Sequence, residues 1–179
     1  MGSHASAEPV RAVLDCVRRL VRALRESSRE AERKVGISGA QLFVLQQLAV
    51  GPARSVSELS EQTLTHQSSV SAVVQRLAAA GLIARSRSPQ DRRRTDLRLT
   101  ARGRALVSSA PPLLQERLIE AVRRLPPGRR QWLASALREV VDRMQLPGGA
   151  APMFFEDGRR ARRPRAGTGF SRKGPHARR

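Results

Sequence analysis

Apolar positions along the chain follow two periods, 3.6 and 2, and the places where the period changes mark its organisation. Val10, Val13, Leu14, Val17, Leu20, Val21 and Leu24 trace one helical stripe, with Arg11, Arg18, Arg22, Arg25 and Arg29 mostly off it, which predicts a long first helix that cannot fold alone. Ser38-Gly39-Ala40-Gln41 is a capping box opening a second helix, with Leu42, Leu45 and Leu48 inward and a close near Gly51-Pro52. Ser55-Val56-Ser57-Glu58 is another, starting a short helix that runs to about Gln62 with Val56 and Leu59 on its inner face. After a polar break at residues 63–66, Val70, Val73, Val74 and Leu77 follow i, i+3, i+4, i+7, and Gly81 supplies the left-handed residue that ends this helix. The period then drops to two. Residues 82–88 alternate, Ser88-Pro89-Gln90-Asp91 turns, and Asp96-Leu97-Arg98-Leu99 alternates again, the pattern of a β-hairpin. Thr100 caps a further helix, whose apolar series from Leu106 to Leu125 is interrupted by Pro111-Pro112, where a kink or break is expected. Pro126-Pro127 ends that stretch and starts the last helix, with the stripe Leu133, Leu137, Val140, Val141 and Met144. Phe43 and Trp132 sit in helical stripes and read as core.

Two of these elements carry candidate chemistry. Opposite its apolar side, the helix ending at Gly81 presents Ser68, Ser71, Ala72, Gln75 and Ala79, with Ser69 and Arg76 on the flank. Small and amide-bearing side chains let a helix lie deep in a DNA major groove, where Gln pairs with adenine, Ser with several base edges, and Ala with the thymine methyl. An ordinary exposed helix is the plain alternative for such a face. The hairpin carries Arg85, Arg87, Arg92, Arg93, Arg94 and Arg98 against Asp91 and Asp96. A guanidinium-tipped ribbon suits a phosphate rail or a narrow minor groove, and a solvated charge run is the alternative.

Helix, turn, small-faced helix, Gly and arginine hairpin in direct succession resemble the winged helix-turn-helix of the MarR family of bacterial transcriptional regulators. The resemblance is carried by Val56-Ser57-Glu58-Leu59, Ser68-Ser69-Val70-Ser71, Arg76-Leu77 followed by Gly81-Leu82-Ile83, and Asp91-Arg92-Arg93 leading to Leu99-Thr100-Ala101-Arg102-Gly103. It spans the chain from about Val10 to Met144. It implies a mainly α fold with a small β-wing, in which long terminal helices, about residues 10–34 and 101–145, dimerise and residues 38–100 form the DNA-binding lobe. It also implies a homodimer on an inverted-repeat duplex, with recognition helices (residues 70–79) in successive major grooves and wings in the flanking minor grooves. On this carry-over the DNA-contacting set is Ser68, Ser69, Ser71, Gln75, Arg76, Arg85, Asp91, Arg92, Arg93 and Arg94. Arg93 is the wing arginine, and Asp91 positions its neighbours by charge-assisted hydrogen bonds. Where members often have a basic residue in the recognition helix this chain has Ala72, so base readout leans on Ser68, Ser71, Gln75 and Arg76. The usual family signal, a small aromatic or phenolic effector between the dimer helices and the lobe, implies a repressor released by ligand. Cys16, in the first helix, is the position type from which some members sense oxidants, but the chain has no tyrosine to hold a thiolate, and a small buried hydrophobe is the simpler reading.

Composition narrows the class further. A net charge of +19, from 34 Lys+Arg against 15 Asp+Glu, makes a polyanion the natural partner. An isologous dimer is also the economical way to cover the apolar stripes of the first and last helices, a monomer that packs them on itself being the plain alternative. From Pro147 onward periodicity vanishes, and nine basic residues stand against Glu156 and Asp157, so residues 147–179 read as a disordered basic tail, with Phe154 and Phe155 as groove-seeking exceptions. Residues 1–9 read as a disordered leader, with a vector-like start at Met1-Gly2-Ser3-His4. No apolar run approaches the ~18 residues of a membrane span, and a lone cysteine excludes an internal disulfide, which together suggest a bacterial cytoplasmic, nucleoid-associated protein. His4, His66 and His176 are scattered, and neither a phosphate loop nor a Gly-x-Ser-x-Gly elbow is present, so no enzyme, metal or cofactor is expected. The competing functional readings are a thiol-based sensor through Cys16 and a non-specific DNA-packaging or RNA-associated basic protein, the latter lacking the interleaved aromatics that base stacking needs.

Overall fold

The computed structural model describes residues 3–51, 53, 55–87, 95–149 and 151–156. A long helix α1 (Ser3–Val35) leads into α2 (Gly39–Val50), α3 (Val56–Thr63) and α4 (Gln67–Ala79). The antiparallel strands β1 (Ile83–Arg87) and β2 (Thr95–Leu99) follow, then α5 (Ala101–Ser109), α6 (Leu114–Arg124) and α7 (Pro127–Arg143). No helix among the described residues is long and apolar enough to cross a membrane.

Helix α2 is the hub of the lobe. Its capping box is complete, with Ser38 Oγ accepting from the Gln41 amide at 3.3 Å and Gln41 Oε1 accepting from the Ser38 amide at 3.0 Å. Leu42, Phe43, Val44, Leu45 and Leu48 are all buried, a wider face than the stripe of Leu42, Leu45 and Leu48 expected from periodicity. The reason is that α1, α3, α4, α5 and β2 surround it. With neighbours around most of its circumference, α2 leaves only Gln41, Gln46, Gln47 and its last two residues accessible, so the apolar stripe under-reads its buried face. Leu59, Val70, Val73, Val74, Leu77, Leu82, Ile83, Leu97 and Leu99 close the core around it. Ala53 adds an isolated bridge on the outer side of β2, its carbonyl accepting from the Leu97 amide at 2.8 Å.

The terminal helices behave differently. Only the distal part of α1 joins the core, through Leu24 and Ala31, while Val10, Val13, Leu14, Val17, Leu20 and Val21 remain exposed in the single chain. Helix α1 also begins at Ser3, where a disordered leader was expected; Ala5, Ala7 and Glu8 are good helix formers. The Pro111-Pro112 pair breaks the chain between α5 and α6, and Pro127 starts α7, both as expected. No residue of α7 is buried, and Trp132, read from its stripe as core, is 72% exposed. Its apolar neighbours Leu137, Val140, Val141 and Met144 are exposed as well, because among the described residues no other element packs substantially on this helix.

Candidate nucleic-acid interface

The geometry of α3 and α4 follows from their ends. Ser55 caps α3 by accepting from the Glu58 amide at 3.0 Å. The helix stops at Thr63, whose buried hydroxyl donates to the Leu59 carbonyl at 2.9 Å, and Leu64 takes the left-handed conformation (φ 52°) that turns the chain. Helix α4 then begins at Gln67, directly after the polar break read at residues 63–66, and so extends three residues ahead of the 70–79 segment that the family resemblance implies. Its first-turn amides receive no side-chain cap from His66, which leaves them as donors for an anion. Gly81 (φ 69°) ends the segment after Ala80, and Leu82 returns a bond to the Leu77 carbonyl at 3.0 Å.

On α4 the inner face is Val70, Val73, Val74 and Leu77, and the outer face carries Gln67, Ser68 and Gln75, with Ser71 and Ala72 partly shielded beside them. No carboxylate lies on α4 itself. The structure therefore brings Ser68, Ser71 and Gln75 together on one accessible face. Ser69 and Arg76, grouped with them from sequence, occupy the flank and are engaged by the C-terminal segment. Ser69 is 8% exposed and its hydroxyl donates to the Ala151 carbonyl at 3.4 Å. Arg76 donates from Nη1 to the Glu156 carbonyl at 3.1 Å and from Nη2 to Glu156 Oε1 at 3.2 Å. Residues 151–156 thus pack on the body although they lie in the stretch read as a disordered tail, and their anchor is Met153, 3% exposed, while Phe154 stays half exposed. The adjacent aromatics were the only sequence signal for this docking.

In the wing, Ile83 pairs with Leu99 and Arg85 with Leu97. By alternation Arg85 shares a face with Ile83, Leu97 and Leu99, yet it is exposed while its partner Leu97 is buried. Asp96 is buried on the other face and its carboxylate accepts from Arg98 at 3.4 Å, a positioning role assigned from sequence to Asp91. Asp91, Arg92, Arg93 and Arg94 lie outside the described residues.

The base of the wing is a clasp built from Leu99-Thr100-Ala101-Arg102-Gly103. Leu99 is buried, and the Thr100 hydroxyl accepts from the Gly103 amide at 3.0 Å while donating to the Gly81 carbonyl at 2.8 Å. The Thr100 amide donates to the Leu82 carbonyl at 3.1 Å. Gly103 sits so close to this strand that a Cβ would collide with the Leu82 carbonyl oxygen. Arg102 donates to the Ala80 carbonyl at 3.3 Å and Arg104 to the Leu99 carbonyl at 2.9 Å, so two arginines that look like surface charge brace the turn instead. The motif fixes wing to α4.

Cys16 is exposed on α1, where a buried hydrophobe was the simpler reading, because the stripe beside it has no cover in the single chain. Among the described residues no group of three or more His, Cys, Asp or Glu is placed to hold a metal ion. A cavity of about 370 Å³ lies between α2, β2 and α5, with Leu48, Leu99 and Val107 beside Arg98 and Arg104.

A short helix, a left-handed turn, a second helix with a small polar outer face and a two-stranded wing clasped to its end define a winged helix-turn-helix protein. Residues 35–94 match the model of the MarR family. Over that segment the chain carries a MarR-family sequence. It is 40% identical over 74 residues to the HTH-type transcriptional repressor MdtR of Bacillus subtilis (strain 168), an alignment that covers 41% of this chain and 48% of that protein. The chain thus spans about half the length of this curated relative. Its fold resembles that of Sco3205, a MarR family transcriptional regulator from Streptomyces coelicolor solved in complex with DNA, with a TM-score of 0.51 at 22% identity over 84% of this chain and 95% of that one. Bordetella bronchiseptica BpsR matches at 30% identity over 69% of this chain and 90% of that chain, with a TM-score of 0.45.

Proposed function

We infer that the protein is a sequence-specific DNA-binding transcriptional regulator that acts as a homodimer, a repressor released by a small aromatic or phenolic effector. The observation that carries this reading is the outer face of α4, where Ser68, Ser71, Ala72 and Gln75 form a shallow surface without a carboxylate beside an arginine-bearing wing. Such a face fits a major groove sterically and offers the amide of Gln75 to an adenine edge, while the uncapped start of α4 and Arg85 suit the backbone phosphates. The relative MdtR is named a transcriptional repressor, which supports the same sign of regulation. Dimerisation is supported by the two uncovered apolar stripes, on α1 and on α7. The cavity beside Arg98 and Arg104 supports the effector reading, since an apolar floor with two guanidinium groups at its edge suits an aromatic anion.

Selection of duplexes from a randomised pool is expected to yield an inverted repeat. On that repeat Gln75→Ala should weaken binding by about 1–3 kcal/mol, with little change on mixed-sequence DNA and relaxed selection at one position in each half-site. Failure of the wild-type protein to enrich any repeat would replace this function with non-specific nucleic-acid packaging.

A further inference from the structure

Helix α4 is already occupied on one flank. Residues 151–156 run along the groove between α1 and α4, where Ala151 takes the Ser69 hydroxyl, Met153 inserts into the core, and the Glu156 amide turns back to the Met153 carbonyl at 3.1 Å. The turn ends by presenting two oxygens of Glu156, carboxylate and carbonyl, to the two terminal nitrogens of Arg76. An arginine fork held in this way offers to a carboxylate the geometry it would offer to a phosphate. We propose that this segment is a self-inhibitory strap, in which Glu156 holds Arg76 in place of a DNA phosphate and must leave when α4 engages DNA. The inference rests on the reading of α4 as the DNA-contacting helix.

Three features suit release rather than permanent packing. Phe155 takes a left-handed conformation (φ 58°), which a bulky residue adopts only while its surroundings hold it there. The groove is incompletely filled, with a cavity of about 410 Å³ remaining between the strap and Arg25, Arg29 and Glu32 of α1. The charge pattern is also contrary to that of a simple phosphate-seeking extension. Glu156 is one of only two acids in the sequence of residues 147–179, against nine basic residues, and it is seated on α4. With Ser69 covered and Arg76 neutralised, one flank of the helix is withheld while Ser68 and Gln75 stay open.

A double-mutant cycle on the full chain tests this, using Glu156→Gln, Arg76→Ala and the pair, each titrated against the duplex the wild type selects and against a mixed-sequence duplex. Glu156→Gln, melting like the wild type, should bind DNA tighter by roughly 3- to 30-fold, and that gain should vanish in the Arg76→Ala background. Adding saturating DNA to the wild type should also speed hydrogen exchange at the Glu156 amide. An unchanged affinity for Glu156→Gln would overturn the strap, as would an equal gain without Arg76, which is the mark of a general charge effect. Undiminished amide protection in the DNA complex would do the same. If neither the wild type nor any variant binds a duplex, the DNA-binding reading itself fails, and the inhibitory role with it.

Discussion

At Gly103 the absence of a side chain is what lets α5 start against the backbone of Leu82, just ahead of β1. A Cβ there would meet the Leu82 carbonyl oxygen, which is backbone held by its bond from the Thr100 amide and cannot rotate away. Gly103→Ala is therefore expected to destabilise the protein by about 1–3 kcal/mol, the ordinary range for overpacking, and to lower the melting temperature by several degrees. An unchanged melting temperature would mean that the approach of α5 to β1 is looser than the clasp requires. Thr100 shows why a motif residue is read only in part from sequence. Its capping of α5 is local, since the acceptor and the Gly103 amide are three residues apart, but its donation to Gly81 spans nineteen. The same limit applies to Arg102 and Arg104, which sequence leaves in the general pool of positive charge and the fold commits to backbone carbonyls.

Among the elements, α6 has the least ordinary start. Its N-cap position is Leu113, which has no acceptor, and the Leu114 amide is instead taken by the hydroxyl of Ser27 on α1 at 3.0 Å. A cap borrowed from another helix does two things. It satisfies an amide that the Pro111-Pro112 break leaves without a partner, and it fixes where α6 departs from α1. Ser27→Ala should cost about 0.5–2 kcal/mol, as loss of a local cap does, and thermal melting should register it. No change would assign that amide to water. The break itself is legible because proline removes a donor and clashes with the preceding turn whatever the tertiary context. The acceptor that supplies the cap is not, since Ser27 and Ser28 stand side by side on α1 and only packing selects one of them.

Taken as a whole, the single chain is unfinished at both ends. Val13, Val17 and Leu20 on α1 and Leu137, Val140 and Met144 on α7 leave apolar faces far larger than a small soluble monomer ordinarily exposes as scattered residues. A twofold partner placing α1 and α7 against their symmetry mates would bury both at once. Sedimentation velocity of the wild type should then show a dimer. The double substitution Val17→Asp and Leu137→Asp, which puts two charges into that seam at a cost on the order of several kcal/mol, should give a monomer whose lobe still melts cooperatively. A wild-type monomer, or a dimer indifferent to both aspartates, would remove these faces from the interface.

What the sequence determined alone is whatever depends on neighbours in the chain. The capping box at Ser38, the cap at Ser55, the break at Pro111-Pro112, the left-handed Gly81 and the alternation of Leu97 and Leu99 are set by backbone hydrogen bonding and by periods of 3.6 and 2, and the elements stand where those signals lie. Only the tertiary structure decided which polar residues of α4 remain free. Ser69 and Arg76, on the flank of the face that carries Ser68 and Gln75, are engaged by Ala151 and Glu156, about eighty residues later, which take their side chains. It likewise decided that the buried face of α2 is wider than its stripe and that Trp132 faces outward, because burial depends on which surfaces meet, and a helix carries no record in its own periodicity of what comes to lie against it.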